Sequence, residues 1–174
     1  MSMLAKPLVG EFPDYFEGYI NEVPEGQVLT LLQAQIEEAA ARFGNLTEDQ
    51  GNFRYAEGKW SLKEVLGHIV DTERVMSYRL LRIARGDTTP LPGFDEGLFV
   101  SHANFADRTV QDLLDEFAVV RTSTLSLMNH LTDEAWLRIG NFSGSNGSAR
   151  SLAYIIAGHA LHHFKIIQER YIQA

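Results

Sequence analysis

Four long segments of this sequence space their apolar residues at the three- and four-residue intervals of an α-helix, and this pattern constrains the fold more than any other feature. The segments cover about 25–43, 62–85, 110–131 and 152–171. No segment shows the alternating apolar and polar residues of a half-buried strand, and the sequence has no internal repeat. The pattern therefore predicts an all-α fold, most simply a four-helix bundle.

Capping and helix-breaking residues predict how the middle of the chain is organised. Ser61 and Glu64 have the spacing of a capping box, which predicts that the second helix begins at Leu62. Proline and glycine interrupt residues 88–108. This stretch is therefore predicted to be a long crossover connection between the second and third helices.

The remaining irregular stretches lie nearer the two ends of the chain. Three prolines in residues 1–24 predict an irregular N-terminal arm that packs on the body of the protein. Residues 140–147 are rich in glycine and serine and are predicted to be a loop, with Ser151 just before the last helix. The length suits one domain, so residues 1–174 are expected to form a single bundle.

The sequence contains no cysteine, which excludes several kinds of site. A disulfide framework, a cysteine zinc site, an iron–sulfur cluster and a thiol nucleophile of the protein's own all require cysteine. Any metal site must therefore use carboxylates or the six histidines.

The charge balance argues against polyanionic partners. The chain has 15 Lys and Arg against 23 Asp and Glu, a formal net charge of −8, so the basic surface expected of a nucleic-acid binder or of a protein on an anionic membrane is missing. The N-terminus has no apolar stretch long enough for a signal-peptide core, and no apolar run reaches the ~18 residues of a membrane span. These features predict a cytoplasmic protein that binds neither nucleic acid nor membrane.

Three of the six histidines can converge between two helices. His159 and His163 share one stripe of the last helix, whereas His162 falls about 60° to the other side. His68 lies on a partly polar side of the second helix, about 100° from the centre of its apolar stripe. Catalytic zinc usually takes three protein ligands and keeps a fourth position open. We therefore predict a divalent-metal site at these three positions, His68, His159 and His163; the alternative is that they are hydrogen-bonded structural residues.

Other polar residues beside His68 have two interpretations each. Asp71 could orient the His68 ring or be solvated. Arg79 and Glu64 share the His68 side of the helix and could contact a substrate carboxylate or act as a base, although surface ion pairing is the commoner role. None of them is assigned a catalytic role.

Three motifs resemble those of one known family. The segment Gly58–His68 reads GKWSLKEVLGH, Asp71–Arg74 reads DTER, and His159–His163 reads HALHH. Together they resemble the DinB superfamily, the DinB/YfiT-like metalloenzymes, from about Pro24 to Tyr171. The resemblance implies a four-helix bundle, often a homodimer, with a three-histidine site for a divalent metal such as zinc or nickel. Its ligands here would be the three histidines already selected.

The resemblance also implies a range of activities. Members include thiol-dependent S-transferases and isomerases that use a low-molecular-weight thiol, and relatives described as metal-dependent hydrolases. We therefore expect a metal-dependent enzyme with a small-molecule substrate, either a hydrolase or an S-transferase with a small thiol as cosubstrate. The alternative is a non-catalytic bundle, stabilised by metal or binding a small ligand as a dimer. Because bound imidazole must be neutral, metal affinity is expected to fall below about pH 6.5.

Overall fold

The computed structural model describes residues 4–172; residues 1–3 of the predicted arm and the last two residues of the chain lie outside this range. The described helices are, in chain order, α1 (Glu17–Glu22), α2 (Val28–Phe43), α3 (Glu48–Asn52), α4 (Leu62–Ala84), α5 (Glu96–His102), α6 (Val110–Met128), α7 (Asp133–Trp136) and α8 (Ala149–Ile167). The long helices α2, α4, α6 and α8 form the predicted bundle, in which α2 and α4 each pack against both α6 and α8. The all-α four-helix prediction and the long crossover between α4 and α6 are confirmed. No helix within the described range is long and apolar enough to cross a membrane.

The start of α4 follows the predicted capping box. The Ser61 hydroxyl accepts the Glu64 N–H at 3.2 Å, and the Glu64 carboxylate accepts the Ser61 N–H at 2.6 Å. Helix α8 starts earlier than predicted, because Ser148 rather than Ser151 is its N-cap, with its hydroxyl accepting the Ser151 N–H at 3.1 Å. After Ile167 the last helix continues as a π-helical end over Gln168–Ile172.

The predicted loop before α8 is a β-hairpin. Strands β1 (Ile139–Phe142) and β2 (Ser145–Ser148) pair antiparallel, with Phe142 opposite Ser145. The two residues between them, Ser143 and Gly144, both have positive φ, 53° and 81°, as a tight two-residue hairpin turn requires. Such short strands, rich in glycine and serine, carry too few apolar residues for a visible alternation.

The arm and the crossover also contain local structure. The arm forms a 3-10 turn, Asp14–Phe16, followed by α1, which packs on α8. The crossover forms α5 and a second 3-10 turn, Phe105–Asp107, both of which contact α4. These segments therefore cover α4 and α8, the two helices that carry the predicted histidines.

A buried polar layer divides the apolar core into two parts. Its members are Gln35, Glu73 and Arg121, from α2, α4 and α6, all at most 2% exposed. The Arg121 guanidinium donates to both Glu73 carboxylate oxygens, the shortest contacts being 2.8 Å, and to the Gln35 side-chain oxygen at 2.5 Å. Gln35 in turn donates to the Ala157 carbonyl of α8 at 2.9 Å. The layer therefore connects all four long helices.

Candidate metal centre

The structure brings the three predicted histidines together where α4 packs against α8. His68 projects from α4, and His159 and His163 project from successive turns of α8. One ring nitrogen from each can be chosen so that all three lie within 4.8 Å of one another. The Nε2 atoms of His68 and His159 are 3.0 Å apart.

Burial controls the protonation of this cluster. His68 and His159 are buried and His163 is partly buried. Burial lowers the pKa of His68 to about 4 and that of His163 to about 3, the latter also because the other imidazoles lie near it. The pKa of His159 is lowered well below its usual value, first by burial and then by its histidine neighbours and Arg121. The rings are therefore neutral at pH 7, and proton competition is expected to begin below the pH of 6.5 predicted from unperturbed histidine.

The donor set fits a divalent transition metal. Zinc binds imidazole nitrogen at about 2.0–2.1 Å, so the nitrogens of a tetrahedral site lie about 3.3 Å apart. In the cluster, the Nε2 atoms of His68 and His159 are 3.0 Å apart, slightly closer than in such a site, and the three ring nitrogens all lie within 4.8 Å of one another. Three neutral imidazoles suit zinc, nickel, copper or iron and leave a further coordination position open.

The orientation of His68 depends on Thr72, which the helical spacing places on the same side of α4 but to which the sequence assigned no role. The Thr72 hydroxyl, one turn further along α4, lies 3.4 Å from His68 Nδ1. This contact leaves Nε2 directed at His159. Asp71, which was considered for this role, instead lies 3.7 Å from Arg74 in an ion pair. A threonine four residues after a histidine can reach the same ring, but many other helices have this spacing without such a contact.

Aromatic side chains cover the cluster on two sides. The ring centroid of Trp60 lies 4.9 Å from that of His68, and Tyr19 meets His159 edge-on at 5.4 Å. Tyr19 comes from α1, so the N-terminal arm forms part of the site. No sequence pattern placed Tyr19 at the cluster, because the arm reaches the histidines only through the packing of α1 on α8.

Two cavities border the histidine cluster, one at His159 and the other at His163. A cavity of about 260 Å³ is lined by His159, Thr72 and Arg79, together with aromatic residues of the arm. A second cavity, of about 300 Å³, is lined by His163, Trp60 and Tyr171 on the other side. We call them the arm cavity and the tryptophan cavity. Small molecules can therefore approach the cluster from two directions, at His159 and at His163.

The other three histidines stay outside the cluster, as predicted. His162 lies against the rings of Tyr19 and His163, at 5.2 and 5.1 Å. The exposed rings of His102 and His130 place Nδ1 at 2.9 and 2.7 Å from backbone carbonyls one turn earlier in the chain.

The two charged residues on the His68 side of α4 have different environments. Glu64 caps the helix and forms an ion pair with Arg54 at 2.6 Å, so its role is structural. Arg79 is not a surface residue: its side chain is buried in the wall of the arm cavity.

Comparisons with known proteins agree with this architecture. The model of the DinB superfamily matches residues 31–167. YfiT from Bacillus subtilis, described as a probable metal-dependent hydrolase with an unusual four-helix bundle topology, superposes with a TM-score of 0.74 at 18% identity, covering 97% of this chain and 92% of that protein. The mycothiol-dependent maleylpyruvate isomerase superposes with a TM-score of 0.66 at 12% identity, and the match covers 83% of this chain but only 61% of the isomerase. No curated protein sequence matches the chain significantly. The family match spans most of the sequence and nearly all of the four long helices, and the chain belongs to the DinB superfamily.

Proposed function

We propose that this protein is a metal-dependent enzyme that acts on a small molecule at His68, His159 and His163. The observation that carries the proposal is the convergence of three neutral, largely buried imidazoles within 4.8 Å, between two cavities. Buried histidines without a ligand role usually bond to backbone or carboxylate groups. Here His68 and His159 face each other at 3.0 Å, an arrangement that a shared cation would stabilise.

The surrounding residues have defined roles in this proposal. A bound divalent metal would supply Lewis-acid activation of a water or of a small thiol at its open position. Thr72 orients His68, and burial keeps the imidazoles free of protons. Trp60 and Tyr19 exclude bulk water from two sides of the cluster. The cavities position the substrate.

Two reaction types fit the site, and both remain part of the proposal. Hydrolysis is supported by the description of YfiT as a probable metal-dependent hydrolase. Transfer or isomerisation with a small thiol is supported by the mycothiol dependence of the isomerase that shares the fold. Because the chain has no cysteine, the thiol would come from a cosubstrate. Zinc and nickel are the metals we propose to test first.

Metal binding is the first test. Purified protein titrated with zinc or nickel is expected to bind one ion per chain. His68→Ala should weaken the affinity more than about 100-fold, since losing even an outer partner of a ligand costs 10- to 100-fold. His130→Ala is the matched control, because His130 is exposed and outside the cluster. Absence of stoichiometric metal, or equal affinity in the His68 and His130 variants, would rule out the site.

Turnover separates the enzyme from a non-catalytic bundle. The metal-loaded protein should be assayed with ester substrates, and with small thiols paired with maleylpyruvate-like, epoxide or chlorinated electrophiles. Activity should fall strongly in His163→Ala and remain in His130→Ala. Stoichiometric metal without turnover in either set would favour a metal-stabilised or ligand-binding bundle instead.

We also propose that the protein acts in the cytoplasm as a homodimer. Phe164 of α8 is not available to a second copy, because it packs within the chain against the rings of Phe43 and Phe117, at 5.3 and 5.8 Å. Light scattering should give about twice the 19.5 kDa of one chain. A mass of one chain would reject the dimer and leave the metal site unaffected.

A further inference from the structure

Arg79 carries a buried charge that forms no ion pair with a carboxylate of the described residues. Its side chain is 2% exposed and lines the arm cavity. None of the ion pairs formed within residues 4–172 includes it. Arg121, buried to a similar degree, has both oxygens of Glu73 as partners. Arg121 therefore has the carboxylate partner that normally makes a buried guanidinium tolerable, and Arg79 does not.

The contacts that Arg79 does make are with neutral groups. It donates to the Pro92 carbonyl at 2.7 Å, to the Ser143 hydroxyl at 3.0 Å and to the Met76 sulfur at 3.5 Å. A guanidinium has five N–H groups. These three hydrogen bonds leave at least two N–H groups of Arg79 without an acceptor among residues 4–172.

Aromatic rings hold the guanidinium in place. Its central carbon lies 5.7 Å from the ring centroid of Phe94 and 5.4 Å from that of Phe142. Burial lowers the pKa of Arg79, but arginine stays protonated in proteins. The result is a fixed, positively charged donor in the wall of a cavity, supported from the crossover and from the turn of the hairpin.

Arg79 shares this cavity with the metal-site residues. His159 and Thr72 line the same cavity. Arg79 follows His68 by eleven residues on α4, which corresponds to about 16 Å along the helix. Its side chain leans back toward the N-terminus, as its contact with Met76 shows. The guanidinium therefore lies nearer to the histidine cluster than the helix position of Arg79 does, and one small molecule in the cavity can contact both Arg79 and His159.

We propose that the arm cavity binds the carboxylate of a small anionic substrate, with Arg79 as the anchor and the reacting group held at the histidines. The proposal rests on the proposed function for the position of the reacting group, but the anchor itself does not need the metal. Because the Nη2 N–H groups donate to Pro92 and Ser143, the free Nε–H is the donor available to a carboxylate, in a charge-assisted hydrogen bond. Glu96 lines the same cavity, so its negative charge disfavours a dianion such as a phosphate monoester.

The test measures binding of simple carboxylates rather than turnover. Butanoate and hexanoate, with butanol and hexanol as neutral counterparts, are titrated into metal-free and zinc-loaded protein and followed by NMR. Wild-type protein should bind the carboxylates and not the alcohols in both forms. Arg79→Gln should weaken carboxylate binding about tenfold or more, because it removes a charge-assisted hydrogen-bond donor. Arg79→Lys, which keeps the charge, should lose less.

Controls make each outcome decisive. Arg82→Gln, on the same helix but paired with Asp87, should leave carboxylate binding unchanged. Should Arg79→Gln fail to fold, the Nε–H resonance of Arg79 in wild-type protein gives the answer, since it must shift on adding butanoate. An unshifted resonance, equal losses in the Arg79 and Arg82 variants, or tighter binding of ethyl phosphate than of butanoate would overturn the proposal. If the protein binds zinc but no carboxylate, this inference alone is overturned. If it binds carboxylates but no zinc, only the proposed metal site is overturned.

Discussion

At the scale of single residues, Gly158 determines how the arm reaches the site. A Cβ atom built at Gly158 would lie 2.0 Å from the backbone oxygen of Tyr19. Only glycine therefore allows α1 to approach α8 closely enough for the Tyr19 ring to meet His159. The cover over the histidine cluster depends on the absence of one methyl group.

Gly158→Ala is accordingly expected to lower the free energy of unfolding by about 1–3 kcal/mol, as overpacking in a well-packed core does. The measurement is urea unfolding of the metal-free protein. Gly18→Ala is the control, because Gly18 lies in α1 and a Cβ there has no heavy atom within 4 Å. Gly18→Ala should leave stability unchanged or raise it by up to about 1 kcal/mol through helix propensity. Equal destabilisation by both variants would contradict the close-approach explanation.

Residue patterns were a better guide to the three clustered histidines than to the side chains around them. The spacing of His159 and His163 on one helix face is a local property of α8, so the sequence was sufficient to favour His163 over His162. The role of Arg79 depends on which other segments cover α4. Arg79 is buried because Pro92, from the crossover, and Ser143, from the hairpin turn, both accept its hydrogen bonds.

At the scale of the helices, the polar layer fixes how the four long elements pack. Gln35 and Arg121 both lie among the apolar residues that predicted their helices, which is the one sequence signal that could have revealed them. Their partners could not be identified from sequence, because Glu73 and Ala157 are 48 and 122 residues away, respectively. The Glu73 and Arg121 charges stabilise the arrangement only as a pair.

Glu73→Gln is expected to destabilise the fold by about 3–5 kcal/mol, since it leaves the charge of Arg121 buried and unpaired. Thermal and urea unfolding measure the change. Glu134→Gln is the matched control, because its pair with Arg138 is exposed and contributes at most about 1 kcal/mol. Combining Glu73→Gln with Arg121→Met should recover part of the loss. A double variant that is no more stable than Glu73→Gln would contradict the unpaired-charge explanation.

At the scale of the whole molecule, the buried histidines couple stability to pH. The unfolded chain binds protons at these histidines below about pH 6.5, whereas the folded metal-free protein resists protonation of His68 until about pH 4 and of His163 until about pH 3. Between these values the unfolded state holds more protons, so the free energy of unfolding decreases as pH falls. Proton binding at these histidines therefore costs no stability above about pH 6.5, and below that pH the free energy of unfolding decreases progressively.

The metal-free protein should therefore lose stability between pH 6.5 and 4, with each buried histidine contributing up to about 1.4 kcal/mol per pH unit. Urea unfolding in the presence of a chelator measures this slope. His163→Gln should reduce the slope, whereas His130→Gln should not. Equal slopes in the two variants would show that the buried cluster does not bind protons preferentially in the unfolded state.

The sequence by itself determined the number of long helices, the start of α4 and the face of α8 that carries His159 and His163, because these depend on spacing and capping within one segment. The tertiary structure decided the rest of the site. It formed the predicted loop into a hairpin, placed the arm as a cover over His159 and buried Arg79 in the wall of the cavity that His159 also lines. Each of these outcomes depends on contacts between segments far apart in the chain. The physical reason is that burial and pairing of a side chain are properties of its spatial neighbours, which local periodicity does not specify.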